Sequence, residues 1–188
     1  MKKLYATVLL GTALVLAACS SEPEYTEMDA GDTQAEVQAD GMISDVLAAD
    51  DRFSTLVQAV NEAGVGDRLS GPGLTTLFAP TDEAFSKLPE GALTELMKPE
   101  NRDQLAAILR YHMVDGRTMK AGLNEAINSA DGSAEIETLE GTVLLASVDE
   151  DGNVLITDTA GNKAMLTQTD VAAGNGVVQI VDTVLMPG

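Results

Sequence analysis

Apolar residues of this chain recur periodically from about residue 41 onward, first with a helical period. The clearest stripe has apolar side chains at i, i+3, i+4 and i+7, namely Phe53, Leu56, Val57 and Val60. This spacing places all four on one face of a helix. Asp50 can cap the start of that helix and Gly64 can end it, because Asp accepts bonds from first-turn N–H groups and Gly adopts the left-handed conformation at a helix end.

A strand followed by three helices is predicted in the next part of the chain. The run from Leu74 to Ala79 is rich in strand-forming residues and is stopped by Pro80, which has no N–H for a sheet ladder. Pro99 opens the clearest of the helices, since proline is favoured in a first turn. The predicted helices cover residues 82–88, 91–97 and 99 to about 112.

The pattern changes from helices to strands in the second half of the chain. Strands are predicted over residues 142–148, 153–158, 164–169 and 177–186. The first two are joined by Asp149–Asn153, whose central Asp-Gly pair is typical of a turn. Because helices come first and strands last, the sequence predicts an α+β fold. We expect one domain over residues 41–188, without an internal repeat.

The N-terminus has the pattern of an export signal over residues 1–18. Two lysines precede the apolar stretch Leu4–Leu16, which is too short to span about 30 Å of hydrocarbon as a helix. Leu-Ala-Ala-Cys at 16–19 resembles the lipobox of bacterial lipoproteins, and this resemblance implies that Cys19 carries fatty acyl chains such as palmitate. The alternative is a plain secretory signal with an incidental thiol. Ser20 favours the outer membrane, with the domain on the periplasmic or the external side.

Residues 19–40 are interpreted as the lipidated Cys19 and an acidic tether. Residues 20–40 hold seven Asp and Glu and no Lys or Arg. Such a segment buries too little apolar surface to offset its ordering entropy, so we expect it to be disordered. It would hold the domain away from an anionic lipid surface, although it is also explained as a cleavable or merely tolerated spacer.

Charge and composition exclude several classes of protein. Eleven Lys and Arg stand against thirty Asp and Glu, and aromatic residues make up 3% of the chain. A nucleic-acid-binding protein needs a basic face, which this composition does not supply. One Cys and one His exclude an internal disulfide and a multi-histidine metal centre. We expect no metal site and no cofactor.

Three sequence blocks carry a resemblance to a known family. They are Thr76–Phe85, Leu109–Val114 and Asn175–Leu185, and they resemble the first, central and closing blocks of fasciclin-like domains. The resemblance implies a wedge of two β-sheets with helices packed along one side, and roles in cell adhesion or surface association without a common enzymatic activity. Many relatives have a His where this chain has Gln179, so a proposal that needs a second imidazole is weakened.

Tyr111 and His112 form the central pair of the second block. His112 is in helical register with the apolar residues Leu105, Ile108 and Leu109, which places it on the buried face. A buried imidazole needs partners for its ring nitrogens, so we interpret it as a hydrogen-bonded core residue. The resemblance implicates the pair in adhesion among animal relatives, so direct ligand contact is the second interpretation. Catalysis or metal binding is the third.

Carboxylates of the first and last blocks are expected to have structural roles. Asp182 shares the strand parity of Val178 and Ile180, which directs its carboxylate to the apolar side of the sheet. A lone charge there needs donors such as backbone amides, a hydroxyl or the imidazole. We predict that Asp182, or Asp82 with Thr81, fixes the core or the turn of the first block.

These observations predict a lipid-anchored binding module of the cell envelope that is not an enzyme. Its partner would be a protein or polysaccharide on the cell surface or matrix, and the acidic charge favours basic or cation-bridged partners. The alternative is an envelope scaffold or carrier that holds a small lipid-like ligand between helices and sheets. A hydrolase built on His112 is a third hypothesis, and the sequence contains no nucleophile elbow to support it.

Overall fold

The structure is a computed structural model, and it describes residues 41–187. The predicted signal peptide, the lipidation of Cys19 and the acidic tether lie outside the described residues. No helix within 41–187 is both long enough and apolar enough to cross a bilayer.

The described chain contains seven short α-helices, six of them in its first half. They are α1 (Ile43–Ala48), α2 (Ser54–Ala63), α3 (Gly66–Ser70), α4 (Asp82–Ser86), α5 (Ala92–Leu96), α6 (Arg102–Tyr111) and α7 (Lys120–Ser129). Two 3₁₀ turns, Asp51–Phe53 and Pro99–Asn101, lead into α2 and α6. The predicted helix after Asp50 is confirmed, because that carboxylate accepts the N–H of Arg52 and Gly64 ends α2 with φ of 69°.

The strands are β1 (Thr75–Pro80), β2 (Met113–Asp115), β3 (Ser133–Glu137), β4 (Val143–Val148), β5 (Val154–Thr157), β6 (Lys163–Ala173) and β7 (Gly176–Val181). Their spatial order is β2-β1-β7-β6-β5-β4-β3, and all neighbours are antiparallel except β1 and β7. The long strand β6 pairs with β5 near its start and with β7 along its later part, which contains register shifts. The two expected sheets therefore share β6, and the α+β class is confirmed.

The core lies on both faces of the central strands. Leu77 of β1 and Val178 of β7 pack against the helices α1 to α6 in one cluster of buried residues. Phe78 and Val181 of the same strands pack in a second cluster with α7 and the strands β3 to β6. β1 and β7 are buried on both faces, so every position of the two strands is buried and burial does not alternate along them.

Several elements differ from the sequence-based expectation. The predicted strand 177–186 ends at Val181, since the chain leaves the ladder at Asp182. The strand β6 is longer than the predicted 164–169 because it continues through polar residues past its bulges. The helices α1, α3 and α7 and the strands β2 and β3 were not predicted. They are short, or they bury only two apolar side chains each.

Candidate functional site

The structure divides the predicted site residues between two places. Tyr111 and His112 lie in the core at the end of α6. Thr81, Asp82 and Asp182 lie together at the surface, where they line a polar recess of about 380 Å³. Arg52, Glu83, Lys87 and Thr167 complete the lining of this recess, which we call the Asp82 pocket.

His112 is buried, and both of its ring nitrogens have partners. It is 1% exposed; Nδ1 lies 2.8 Å from the carbonyl oxygen of Ile108, and the backbone N–H of Leu185 donates to Nε2 over 3.1 Å. Since Nε2 accepts, the bonding pattern assigns the proton to Nδ1, which donates to Ile108. Burial lowers the pKa of His112 to about 4, although the bond to Ile108 and the charge of Asp158 oppose this shift. The imidazole is therefore neutral near pH 7.

Tyr111 is fully buried beside Phe78 and Val181 in the second core cluster. Its hydroxyl accepts a hydrogen bond from the backbone N–H of Thr159 over 3.1 Å. The side chain thus anchors the turn after β5 to the end of α6. Neither Tyr111 nor His112 exposes side-chain surface to a partner in this fold.

Gln179, which stands where many relatives have a second imidazole, belongs to a separate polar network. Its side-chain oxygen accepts the N–H of Asp170 over 3.0 Å, and its nitrogen donates to the carboxylate of Asp170 and to the carbonyl of Thr118, each over 2.9 Å. Asp170 has φ of 60° within the irregular part of β6 and also accepts the N–H of Lys120 over 2.8 Å. This network fixes the start of α7, and Asp170 was not among the residues predicted from the sequence.

Asp82 joins α4 to the start of α2. Its carboxylate accepts the hydroxyl of Ser54 over 2.5 Å and the N–H of Thr55 over 2.8 Å. Partial burial raises the pKa of Asp82, but these hydrogen bonds outweigh it and lower the pKa below the usual value. Thr81 caps α4 by accepting the N–H of Ala84 over 3.3 Å. Asp82 thus bonds to the start of α2, and Thr81 bonds to the start of α4.

The expectation that the carboxylate of Asp182 points to the apolar side was wrong. β7 ends one residue earlier, so the strand parity does not extend to Asp182, whose side chain is 31% exposed. The carboxylate accepts the N–H of Met165 over 2.8 Å and the hydroxyl of Thr183 over 3.1 Å, and Lys87 pairs with it at 3.1 Å. Burial raises the pKa of Asp182, but the hydrogen bonds from Met165, Lys87 and Thr183 outweigh this effect, so the pKa lies below its usual value. An amide and a hydroxyl were predicted as donors, whereas Lys87 was not.

The two basic side chains of the Asp82 pocket, Arg52 and Lys87, are both hydrogen-bonded. Arg52 donates to Asp50 over 2.6 Å and to Gln168 over 3.3 Å. Lys87 also donates to the carbonyl of Asp182 over 2.7 Å. Over the part of the chain that the structure describes, no group of three or more His, Cys, Asp or Glu is arranged to hold a metal ion. The pocket connects α2, α4 and the end of β7.

A larger recess, not foreseen from the sequence, lies between α7 and the edge strands β2 and β3. It has a volume of about 650 Å³ and is lined by residues 114–115, 118, 122–123, 126, 134–139 and 141. We call it the edge groove. Its lining combines apolar Leu123 and Ile136 with the acidic residues Asp115, Glu135 and Glu137.

Comparison with known proteins gives a consistent family assignment. The model of the Fasciclin domain family matches residues 51–187. The chain is 38% identical over 182 residues to Protein sll1483 of Synechocystis sp., a match that covers 96% of this chain and 93% of that protein. It is 37% identical over 147 residues to Transforming growth factor-beta-induced protein ig-h3 of Sus scrofa, covering 78% of this chain and 19% of that protein.

A solved structure supports the same fold. The FAS1 domain pair from the insect cell adhesion molecule Fasciclin I is similar with a TM-score of 0.57 at 22% sequence identity. The match covers 71% of this chain and 45% of that one.

Proposed function

The chain belongs to the fasciclin family, and from this premise we propose that it is a lipid-anchored surface-association module of the cell envelope. It acts by binding a protein or polysaccharide partner on the cell surface or matrix. The similar FAS1 domain pair comes from a protein named as a cell adhesion molecule, which supports adhesion as the class of function. A protein partner is the kind that this comparison favours.

The observation that carries the proposal is the uneven charge of the described domain. Residues 121–162 contain nine Asp and Glu and no Lys or Arg, whereas residues 41–120 contain twelve acidic and eight basic residues. The acidic segment comprises most of α7 and the strands β3 to β5. Asp158 is buried, and the other eight acidic side chains are exposed or half-buried. A surface whose charges have one sign attracts basic partners and repels anionic polymers, with an affinity that falls as salt rises.

Burial of the central block directs partner binding to another surface. The side chains of Tyr111 and His112 are within the core, so in this fold they support binding by holding α6, β5 and the C-terminal segment together. A neutral, fully bonded imidazole is a poor general base, because its accepting nitrogen is already occupied by Leu185. This geometry favours a binding function over a hydrolase.

Envelope localisation is proposed from the N-terminal sequence. Leu-Ala-Ala-Cys at 16–19 supports lipidation of Cys19, with residues 19–40 as the spacer between membrane and domain. Two or more acyl chains give a stable anchor, whereas one chain is marginal. We propose the outer membrane as the site of the anchor.

The proposal is tested by deleting the gene and re-expressing the chain with and without its lipidation site. The full chain and its Cys19→Ser variant should be made in equal amounts, and attachment and clumping of cells measured at low and high salt. We expect the full chain to restore attachment, the Cys19→Ser variant to be released without restoring it, and added salt to weaken attachment. Radiolabelled palmitate should enter the full chain only. Full attachment by the unlabelled variant would contradict the anchored model.

The alternative function, a carrier of a small lipid-like ligand, has less support. Both recesses described above are open to solvent and carry acidic groups on their walls, whereas pockets for apolar ligands are mostly apolar and enclosing. Extraction and mass spectrometry of the purified protein would test it, because a carrier retains its cargo.

A further inference from the structure

The two outermost strands of the sheet meet at one point and then separate. Among the described residues, one isolated bridge joins Val114 of β2 to Thr138, the residue after β3, and beside it Leu139 donates its N–H to the carbonyl of Met113 over 2.8 Å. β2 ends one residue after the bridge, and Gly116 turns away to donate to the carbonyl of Leu74. The remaining edge of β3 therefore faces the edge groove.

The ladder register determines which backbone groups of β3 face that groove. Thr138 donates its N–H to Thr142 over 2.9 Å, and the residues of β3 pair with β4 in the same register. Since bonding alternates along an antiparallel pair, Ala134 and Ile136 bond to β4, and Glu135 directs its N–H and C=O away from β4. A row of outward backbone groups is the template on which an additional strand pairs.

The opposite wall of the groove is a helix surface with room beside it. Gly122 and Ala126 of α7 line the groove one helical turn apart, next to Leu123. A Cβ added at Gly122 would have no neighbour within 4 Å. The helix is held in place by the bond from its first N–H, that of Lys120, to Asp170. The groove thus has one wall of small side chains and one wall of backbone.

Side-chain alternation along β3 specifies the chemistry of an added strand. Ala134 and Ile136 are buried on the inner face, whereas Glu135 and Glu137 are exposed on the outer face. On an added strand, residues of one parity would therefore lie beside Leu123 and Ile136, and residues of the other parity beside the two glutamates. A second copy of this chain fits poorly, because pairing β3 with β3 would bring glutamates beside glutamates.

We propose that the edge of β3 binds an extended segment of another protein, with alternating basic and apolar residues, as an added strand in the edge groove. This inference names a site and a partner class for the surface-association function and rests on that proposal. The acidic stretch 121–162 supplies the complementary charge, and the outward backbone groups supply the pairing.

Binding of a designed peptide tests the inference directly. The probe is a heptapeptide of alternating lysine and valine, added to the full chain in detergent. The controls are a peptide of the same composition with its lysines and valines grouped, and the alternating peptide N-methylated on alternate backbone nitrogens. We expect the alternating peptide to bind at least about tenfold more tightly than either control and to slow hydrogen exchange of the Glu135 amide. Equal binding of all three peptides, or no slowing in β3, would overturn the proposal.

Variants of the groove give an independent test. Gly122→Phe should fill the groove and lower the affinity about tenfold or more, while Gly122→Ala leaves it unchanged. The double change Glu135→Gln with Glu137→Gln should weaken binding and reduce its salt dependence. The matched double change Glu150→Gln with Asp151→Asn, in the exposed β4–β5 turn, removes the same charge and should have much less effect. Equal loss from both double changes would show general electrostatic attraction and would overturn the site.

The two proposals fail in different experiments. If the peptide does not bind but the anchored chain still restores cell attachment, the strand site is wrong and the surface-association function stands. If the peptide binds in the predicted way but attachment is not restored, the site is correct and the adhesive function is wrong.

Discussion

The backbone N–H of Leu185 donates to Nε2 of His112, and this bond ties the C-terminal segment to the end of α6. Met186, the next residue, donates its N–H to the carboxylate of Asp158 over 3.1 Å. The segment after β7 is therefore held by two side-chain acceptors. One of them accepts only while the imidazole is neutral, so this connection depends on pH.

Acid should destabilise the protein through His112 in a defined pH range. Its folded pKa is about 4, below the unfolded value of about 6.5, so the unfolded chain takes up a proton first. Stability is then present above pH 6.5, falls as pH drops toward 4 and levels off below that, by a total of about 3 kcal/mol from this group. Urea unfolding from pH 7.5 to 4 measures it.

The variant His112→Gln isolates this contribution from the many carboxylates. It should be less stable than the parent at pH 7, because the bonds to Ile108 and Leu185 are altered. Between pH 6.5 and 4, however, its free energy of unfolding should fall less than that of the parent. Parallel pH profiles for the two proteins would show that His112 is not the titrating group.

Asp82 should contribute more to stability than its exposed neighbour Glu83. Asp82→Ala leaves the hydroxyl of Ser54 and the N–H of Thr55 without this acceptor and should cost about 1–3 kcal/mol. Glu83→Ala removes the same charge from the same first turn of α4 and should cost less than about 1 kcal/mol. Denaturant midpoints compare the two variants. Equal losses of stability would show that both carboxylates act only through their charge at the start of α4, and not through the hydrogen bonds of Asp82.

The contribution of Asp82 should itself disappear in acid. Its pKa is lowered in the folded protein, so the stability it supplies is present above the unfolded pKa and is lost as pH falls through the folded value. The difference in free energy between the parent and Asp82→Ala should therefore shrink below about pH 4. A difference that stays constant to lower pH would contradict this linkage.

Two substitutions at Asp182 separate the hydrogen bond that it accepts from the backbone N–H of Met165 from its ion pair with Lys87. Asp182→Ala removes the acceptor for the N–H of Met165 and should cost about 1–3 kcal/mol. Asp182→Asn keeps an acceptor oxygen and loses mainly the exposed pair with Lys87, so it should cost less than about 1 kcal/mol, as should Lys87→Ala. Thermal unfolding ranks the three, and an unchanged melting temperature for Asp182→Ala would remove its structural role.

Local signals in the sequence predicted part of the fold. The helix α2 could be predicted because its apolar stripe is flanked by Asp50 and Gly64, which mark its ends chemically. The helix α7 lacks such signals: Met119 provides no side-chain cap, and only Leu123 and Ile127 are buried. Its cap comes from Asp170, about fifty residues later in the chain.

Contacts between residues distant in the chain also limited the prediction of the candidate site. The buried register of His112 followed from its helix, but its acceptor bond to Leu185 joins residues 73 positions apart. Asp182 was placed on the apolar side because period-two parity was extended past the end of β7. The strand β3 was not predicted, because only Ala134 and Ile136 of its residues are buried and the rest are polar. Tertiary pairing, which a single sequence does not reveal, decides each of these cases.

Two glycines should respond in opposite ways to alanine. Gly122 is helical with open space around its missing side chain, so Gly122→Ala should stabilise the protein by about 0.5–1 kcal/mol. Gly64 has φ of 69°, and an added Cβ would collide with the guanidinium of Arg102, so Gly64→Ala should destabilise it by about 1 kcal/mol or more. Urea midpoints at pH 7 measure both, and a destabilising Gly122→Ala would contradict the open wall assigned to the edge groove.

Two variants separate the role of the buried Tyr111–His112 pair from that of the exposed glutamates of β3. Tyr111→Phe removes only the hydroxyl that accepts the N–H of Thr159 and should cost about 1 kcal/mol. Because the side chain is buried, attachment per folded molecule at the cell surface should be unchanged.

The surface variant should show the reverse behaviour. Glu135→Gln with Glu137→Gln changes exposed side chains, so its stability should stay within about 0.5 kcal/mol of the parent, while its attachment falls. Attachment is scored against the amount of protease-resistant protein on the cells, which corrects for unfolded chains. If Tyr111→Phe lost attachment at a full level of folded protein while the glutamate variant kept it, the partner would bind at the central block after an opening of the fold. The edge groove would then have no part in adhesion.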